Sequence, residues 1–195
     1  MSPRIALLFG LLASSILPSC GGMRFMRKPA EGEVRQERAP DGMALVNFHR
    51  PSNYAGVTEY EVFDRERLIG NSLGVTLFQY ACEPGEHVFL GVADRASAIR
   101  AELAAGEVYD VVINVSPGFW KANITLEALD SANPKRDELA AWEEREELWI
   151  FVDDEAARAR ETERGDWARQ TLEDFLGGSH AERLQTLGPG DERGD

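Results

Sequence analysis

The chain has 195 residues, room for one domain with appendages, and its 34 acidic against 21 basic side chains leave a formal net charge of −13. That balance argues against nucleic-acid binding, which needs a clustered basic surface, and sets the bulk of the protein against anionic lipid headgroups. Two cysteines and three histidines (His49, His87 and His180), far apart in sequence, offer no metal-ligand spacing, so neither a metal nor a cofactor is expected.

The first four residues carry one basic side chain, Arg4, and residues 5–17 are apolar apart from small interruptions. Such a run makes roughly 20 Å of helix, short of the roughly 30 Å core of a bilayer. A secretory signal peptide is expected over residues 1–19. Leu17-Pro18-Ser19-Cys20 then resembles the lipobox of bacterial lipoproteins, departing from it at Pro18, where a small residue is usual. The resemblance implies cleavage between Ser19 and Cys20, diacylation of the Cys20 sulfur and acylation of the new amine. An ordinary cleaved signal with a chance cysteine is the alternative. Two or three acyl chains, at about 0.8 kcal/mol per buried methylene, hold a protein to a lipid bilayer firmly. Gly21 after the cysteine resembles the pattern of an outer-membrane lipoprotein facing the periplasm. With Cys20 lipidated, Cys82 has no partner and is expected to be a buried free thiol on a strand.

Residues 20–42 lack a sustained period and are rich in charge, Gly and Pro, which predicts a flexible tether with a reach of about 25 Å. Residues 43–130 change character. "MALVNFH", "VTEYEVFD", "RLIGNS", "GVTLFQYAC", "EHVFLGVAD", "SAIRAEL", "EVYDVVINV" and "FWKANITLEAL" alternate apolar and polar positions, with turn residues between them. Pro84-Gly85 suits a type II turn closing a hairpin. Seven or eight short strands in this span predict an antiparallel β-sandwich of immunoglobulin-like size.

From residue 131 the period becomes helical. Asn133-Pro134 suits an N-cap and first helical position, with Leu139, Trp142 and Trp149 sharing a face. Asp153-Asp154 can cap a second helix, "EAARARETERGDWARQTLEDFL", lined on one side by Ala168, Leu172, Phe175 and Leu176 and stopped by Gly177-Gly178. This helical appendage, residues 131–178, is expected to dock on the β-domain through its tryptophans. From Asp130 onward 19 acidic side chains face nine basic ones, and residues 179–195 should be an acidic flexible tail.

The segment "ALVNFHRPSNYAGVTEYEVFDRERLIGNSLGVTLFQYACEPGEHVF" resembles the bacterial family known as domain of unknown function 2846, whose members are often lipoproteins. The later part also resembles PEGA-type surface β-domains, in which a "PGxH" turn recurs. The likeness spans roughly residues 43–129. It implies a β-sandwich and supplies no catalytic residue.

His49 and His87 read as strand residues bonding near turns, with a ligand-facing role as the alternative. Tyr109 and Trp120 are candidates for an aromatic sugar platform, or else core. These four are the candidate interaction surface. No nucleophile elbow, phosphate loop or paired-cysteine motif is present, and Ser97, Ser116 and Ser131 carry no nucleophile signature. Carboxylate pairs such as Glu59/Glu61 and Asp153/Asp154 read as strand-face and capping residues rather than a glycosidase dyad. The expectation is a non-enzymatic, membrane-anchored envelope lipoprotein whose sandwich serves protein interaction or structural support. A module binding peptidoglycan or surface polysaccharide is the alternative, favoured if Trp and Tyr cluster in solvent on one sheet face.

Overall fold

The computed structural model describes residues 23–92, 96–117, 122–178, 180 and 183–194. The signal segment, Cys20 and Trp120 lie outside the described residues. Eleven strands are described: β1 (Met26–Arg27), β2 (Ala44–Arg50), β3 (Tyr60–Asp64), β4 (Arg67–Ser72), β5 (Thr76–Cys82), β6 (Gly85–Val92), β7 (Ser97–Leu103), β8 (Val108–Ser116), β9 (Asn123–Ala128), β10 (Glu147–Phe151) and β11 (Gln185–Leu187). A 3-10 turn at Pro134–Glu138 leads into the short helix α1 (Leu139–Glu143), and the long helix α2 spans Glu155–Leu176.

The strands form a sandwich of two sheets, ordered β1-β10-β5-β2-β8-β9 and β11-β7-β6-β3-β4. The eight strands expected between residues 43 and 130 all form, but the sheets are mixed rather than antiparallel. β2 with β8, β5 with β10 and β7 with β11 run parallel. The cause is the route of the chain, which visits the sheets in turn: β2, then β3–β4 opposite, β5 back, β6–β7 opposite, β8–β9 back. Strands that re-enter a sheet by crossover are not bound to antiparallel pairing. Pro84-Gly85 therefore closes no hairpin. It carries the chain from β5 to β6 in the facing sheet, with Gly85 at φ 128°.

Between the sheets lie Val46, Phe48, Phe78, Val111 and Leu126 from one side and Val62, Ile69, Phe89 and Ile99 from the other. Phe48 stacks on Phe78 at 4.8 Å between centroids and meets Phe89 edge-on at 5.3 Å. Gly70 makes this stack fit, since a Cβ there would stand 2.6 Å from the Phe78 ring. Cys82 is buried, as its alternation with Phe78 and Tyr80 predicts, and is a free cysteine.

The outer faces are covered as well. Phe63, Leu68, Val88 and Leu90 of the second sheet pack on Ala157, Ala168 and Phe175 of α2, and Phe25 joins them. α2 starts at Asp154, whose carboxylate accepts the Ala157 N–H at 3.0 Å, as expected of that capping pair. Charges then fix it: Arg160 holds Glu61 at 2.7 and 3.1 Å and Arg169 holds Glu66 at 2.9 and 3.1 Å. Glu161 accepts the N–H of Leu68 on the edge strand β4, at 2.9 Å.

Several boundaries differ from the sequence expectation. Residues 23–42 are no tether where described: Met23, Phe25 and Met26 are buried, and β1 pairs with β10. The first helix stops at Glu143, because "ELWIF" is rich in strand formers and joins the first sheet between β1 and β5, taking Trp149 out of the helix. The C-terminal segment is not frayed where described, since β11 pairs with β7. Leu176 faces solvent rather than lining the buried side of α2.

Replacing Phe175, 1 % exposed, by Ala is expected to cost about 3–5 kcal/mol in denaturant unfolding. The neighbouring Leu176→Ala, 48 % exposed, should stay within about 0.5 kcal/mol of the parent protein.

Candidate functional site

The outer face of the first sheet carries a polar cluster built on two neighbouring strands. β2 and β8 pair in parallel with Asn47 beside Asp110, so that His49, two residues on, lies on the same face. His49 Nε2 lies 3.0 Å from Asp110 Oδ1 and its Nδ1 lies 2.8 Å from Glu146 Oε2. Asp110 also accepts from Asn47 Nδ2 at 2.9 Å and from Arg193 at 2.6 and 3.0 Å. Arg193 pairs onward with Glu143 at 2.6 Å, and Glu143 pairs with Arg35 at 2.6 Å. Trp142 lies over the group, 6.2 Å from the His49 ring.

Burial opposes a charge on His49, yet the hydrogen bonds to Asp110 and Glu146 outweigh it and hold the imidazole above its ordinary range. Burial likewise opposes the Asp110 carboxylate, and the bonds from His49 and Arg193 overcome it, holding that carboxyl well below the usual range. Both ring nitrogens of His49 are occupied and its side chain has no exposed surface. A proton on it is fixed rather than available for transfer. The cluster ties β2, β8, the segment after α1 and the C-terminal segment together.

A second cluster joins the two sheets at the other end of the alternation. Asp64 Oδ2 on β3 accepts from Tyr80 Oη on β5 at 3.1 Å and lies 2.6 Å from His87 Nδ1 on β6. His87 Nε2 is 2.8 Å from the Glu83 carbonyl, which only accepts, so this nitrogen donates. The Asp64 bond, and then the Cys82 thiol, raise His87 to about 10 against its burial. An imidazolium with both protons committed cannot serve Cys82 as a general base, although cysteine, histidine and aspartate stand together here.

Arg50, the last residue of β2, is fully buried with no carboxylate against it among the described residues. Its guanidinium donates to the carbonyls of Tyr54, Ala55, Thr58 and Ser72 at 3.0–3.1 Å and lies over the Tyr60 ring. These bonds fold residues 51–58 around a single cation. Burial lowers its pKa from the usual arginine value. The loop it holds displays Tyr54 and Val57 to solvent, Val57 being 95 % exposed.

Of the expected interaction surface, His49 and Tyr109 are buried and belong to the packing. Alternation placed them correctly on strands, but both faces of this sheet are covered. Tyr109 spends its hydroxyl accepting the Ala104 N–H at 3.0 Å. His87 is mostly buried against Asp64. Ser97 bonds the backbone of Leu126. Glu61 and Asp153 pair with Arg160 and Arg158, which fits their reading as strand-face and capping residues. Asp110, Glu146 and Arg193 complete the cluster and belong to no motif in the sequence. The signal for Asp110 was an acid in the middle of "VYDVVINV", since Asp is almost never fully buried unless paired.

A concavity of about 360 Å³ is lined by Arg24, Glu59, Glu61, Val92, Arg160, Arg164 and Trp167. It lies between β3 and α2, where the chain enters the fold.

Asp110→Ala is expected to destabilise the protein by about 3–5 kcal/mol, because it leaves His49 and Arg193 without their shared counter-charge. For His87 the folded value of about 10 exceeds the ordinary 6.5, so its stabilisation is complete below about pH 6.5 and disappears as pH rises through about 10. Unfolding midpoints measured from pH 6 to 10 should fall more steeply for the parent protein than for His87→Gln.

No family model matches the chain, and neither a characterised protein nor a solved structure matches it. The likeness to domain of unknown function 2846 and to PEGA-type domains therefore rests on the turn and strand motifs alone.

Proposed function

We propose that this protein is a lipid-anchored component of a bacterial envelope whose β-sandwich serves protein interaction or structural support rather than catalysis. The observation that carries the proposal is the apolar run ending at Leu17-Pro18-Ser19-Cys20, followed within three residues by chain that is packed into a folded domain. No helix among the described residues is long and apolar enough to cross a membrane, so attachment is assigned to acyl chains on Cys20. The titratable clusters support a structural role for their residues. His49 is engaged by Asp110 and Glu146, and His87 by Asp64, rather than directed into a cavity.

The polysaccharide alternative called for Trp and Tyr exposed together on a sheet face. Tyr109 and Trp142 are buried, and Trp149 and Trp167 are half-buried. Tyr54 is exposed but lies in a loop rather than on a sheet face, and Trp120 lies outside the described residues.

Cys20→Ala should leave the chain unacylated and move it from the membrane to the soluble fraction, as read by fatty-acid labelling and fractionation. Unchanged label in the variant would overturn the anchor.

A further inference from the structure

Cys20 and Met23 are separated by three peptide spacings, at most about 11 Å of extended chain. Met23 is already 5 % exposed and Phe25 4 %. The Arg24 N–H donates to Glu59 at 2.5 Å, and the Phe25 carbonyl accepts the Val152 N–H at 2.9 Å. An acylated Cys20 would thus hold the sandwich directly on the lipid, and the surface around Arg24 would have to meet it.

That surface is unlike the rest of an acidic chain. Three of the seven residues lining the pocket there are arginines. Its acids are turned to internal partners: Glu61 is held by Arg160, while Glu59 is held by the Arg24 N–H and by Asn71. Glu163, on the next turn of α2, pairs with Arg160 and lies near enough to Arg164 and Arg24 to feel their charge. Its side chain is 67 % exposed and leaves their guanidinium groups without a direct ion pair to it. Arg164 approaches Glu61 only to 3.9 Å, stands over the Trp167 ring at 5.7 Å, and its Nε has no hydrogen bond. The Arg24 guanidinium rests over Phe25. Two guanidinium groups on aromatic rings therefore flank a concavity that could take an oxyanion, and arginine suits phosphate.

Beside it lies the loop that Arg50 holds. Val57 is two residues from Glu59, so their Cα atoms stand within about 7 Å. Val57 and Tyr54 are two of the few large apolar side chains exposed among the described residues. An apolar residue and a tyrosine at the rim of a cationic pocket match the headgroup layer of a bilayer, where amphipathic rings and guanidinium groups are at home.

We propose, resting on the lipid anchor above, that the face formed by Arg24, Arg164, Trp167, Tyr54 and Val57 lies on the bilayer, with a phospholipid phosphate held between Arg24 and Arg164. The sandwich is then docked flush on the membrane in one orientation instead of swinging on a tether. The net negative charge of the remainder favours the same orientation by keeping the other faces away from anionic lipid.

The test uses the full acylated protein in vesicles of phosphatidylethanolamine and phosphatidylglycerol, with a spin label on Val57→Cys. Cys82 is buried and Cys20 is blocked by its acyl chains. A second label on Leu176→Cys, about 18 Å farther along α2 from Arg164, reports the opposite condition. Docking predicts that the label at 57 is shielded from an aqueous nickel chelate while that at 176 is not, and that adding Arg24→Gln with Arg164→Gln abolishes the shielding without altering the acylated mass. Equal exposure of both labels, in protein whose mass shows acylated Cys20, overturns the docking and leaves the anchor standing. Shielding that survives the double substitution overturns the phosphate contact. A mass without acyl chains overturns the anchor and the docking together.

Discussion

Both faces of each sheet have to be buried, and most of this molecule follows from that constraint. All seven residues of β2 are buried, so its inner face needs the opposite sheet and its outer face needs something else. On the second sheet α2 supplies the cover, with Phe175 and Ala168 against Phe63 and Leu90. On the first sheet the cover is assembled from pieces distant in sequence: Gln36 bonded to Gln79, Trp142 over His49, and Arg193 on Asp110. A sandwich with one solvated face per sheet would need none of these segments. Here they are part of the fold.

The polar half of each strand's alternation is thereby taken out of water and must be satisfied internally. Asn47, His49 and Asp110 would face solvent in a simple sandwich, and here they bond to one another and to Glu146 and Arg193. Burying charges costs several kcal/mol each unless each finds a partner of good geometry, and removing one partner strands the rest. Arg50 meets the same demand differently, through four carbonyls in place of a carboxylate, and thereby gives a defined shape to a loop that would otherwise be free. Asp64, Tyr80 and His87 perform the corresponding task between the sheets.

The strands of residues 43–130 were legible because period-two alternation and β-branched residues act locally. The capping pair Asp153-Asp154 and the stop at Gly177 marked α2 for the same reason. Pairing was not legible. Whether Pro84-Gly85 closes a hairpin or a crossover depends on which sheet takes β6, and no nearby residue records that. The segment holding Met23 and Phe25 read as linker because its charge and proline content hide two anchoring side chains. Arg193 sits in a Gly- and Asp-rich terminus, and its partners Asp110, 83 positions away, and Glu143 are both distant in sequence. Of the site, Asp110 was visible as an acid in an apolar run, while its partners were not.

The packing of residues 23–42 into the fold would make the proposed lipid anchor an orienting device rather than a leash, and it depends on the terminal segments being held as firmly as the core. Amide hydrogen exchange on the protein measures this directly. Both the Val152 N–H, bonded to the Phe25 carbonyl, and the Arg193 N–H, bonded to the Val108 carbonyl, are predicted to exchange as slowly as amides of β2. Exchange of these two amides at the rate of unfolded chain, with β2 still protected, would contradict the account.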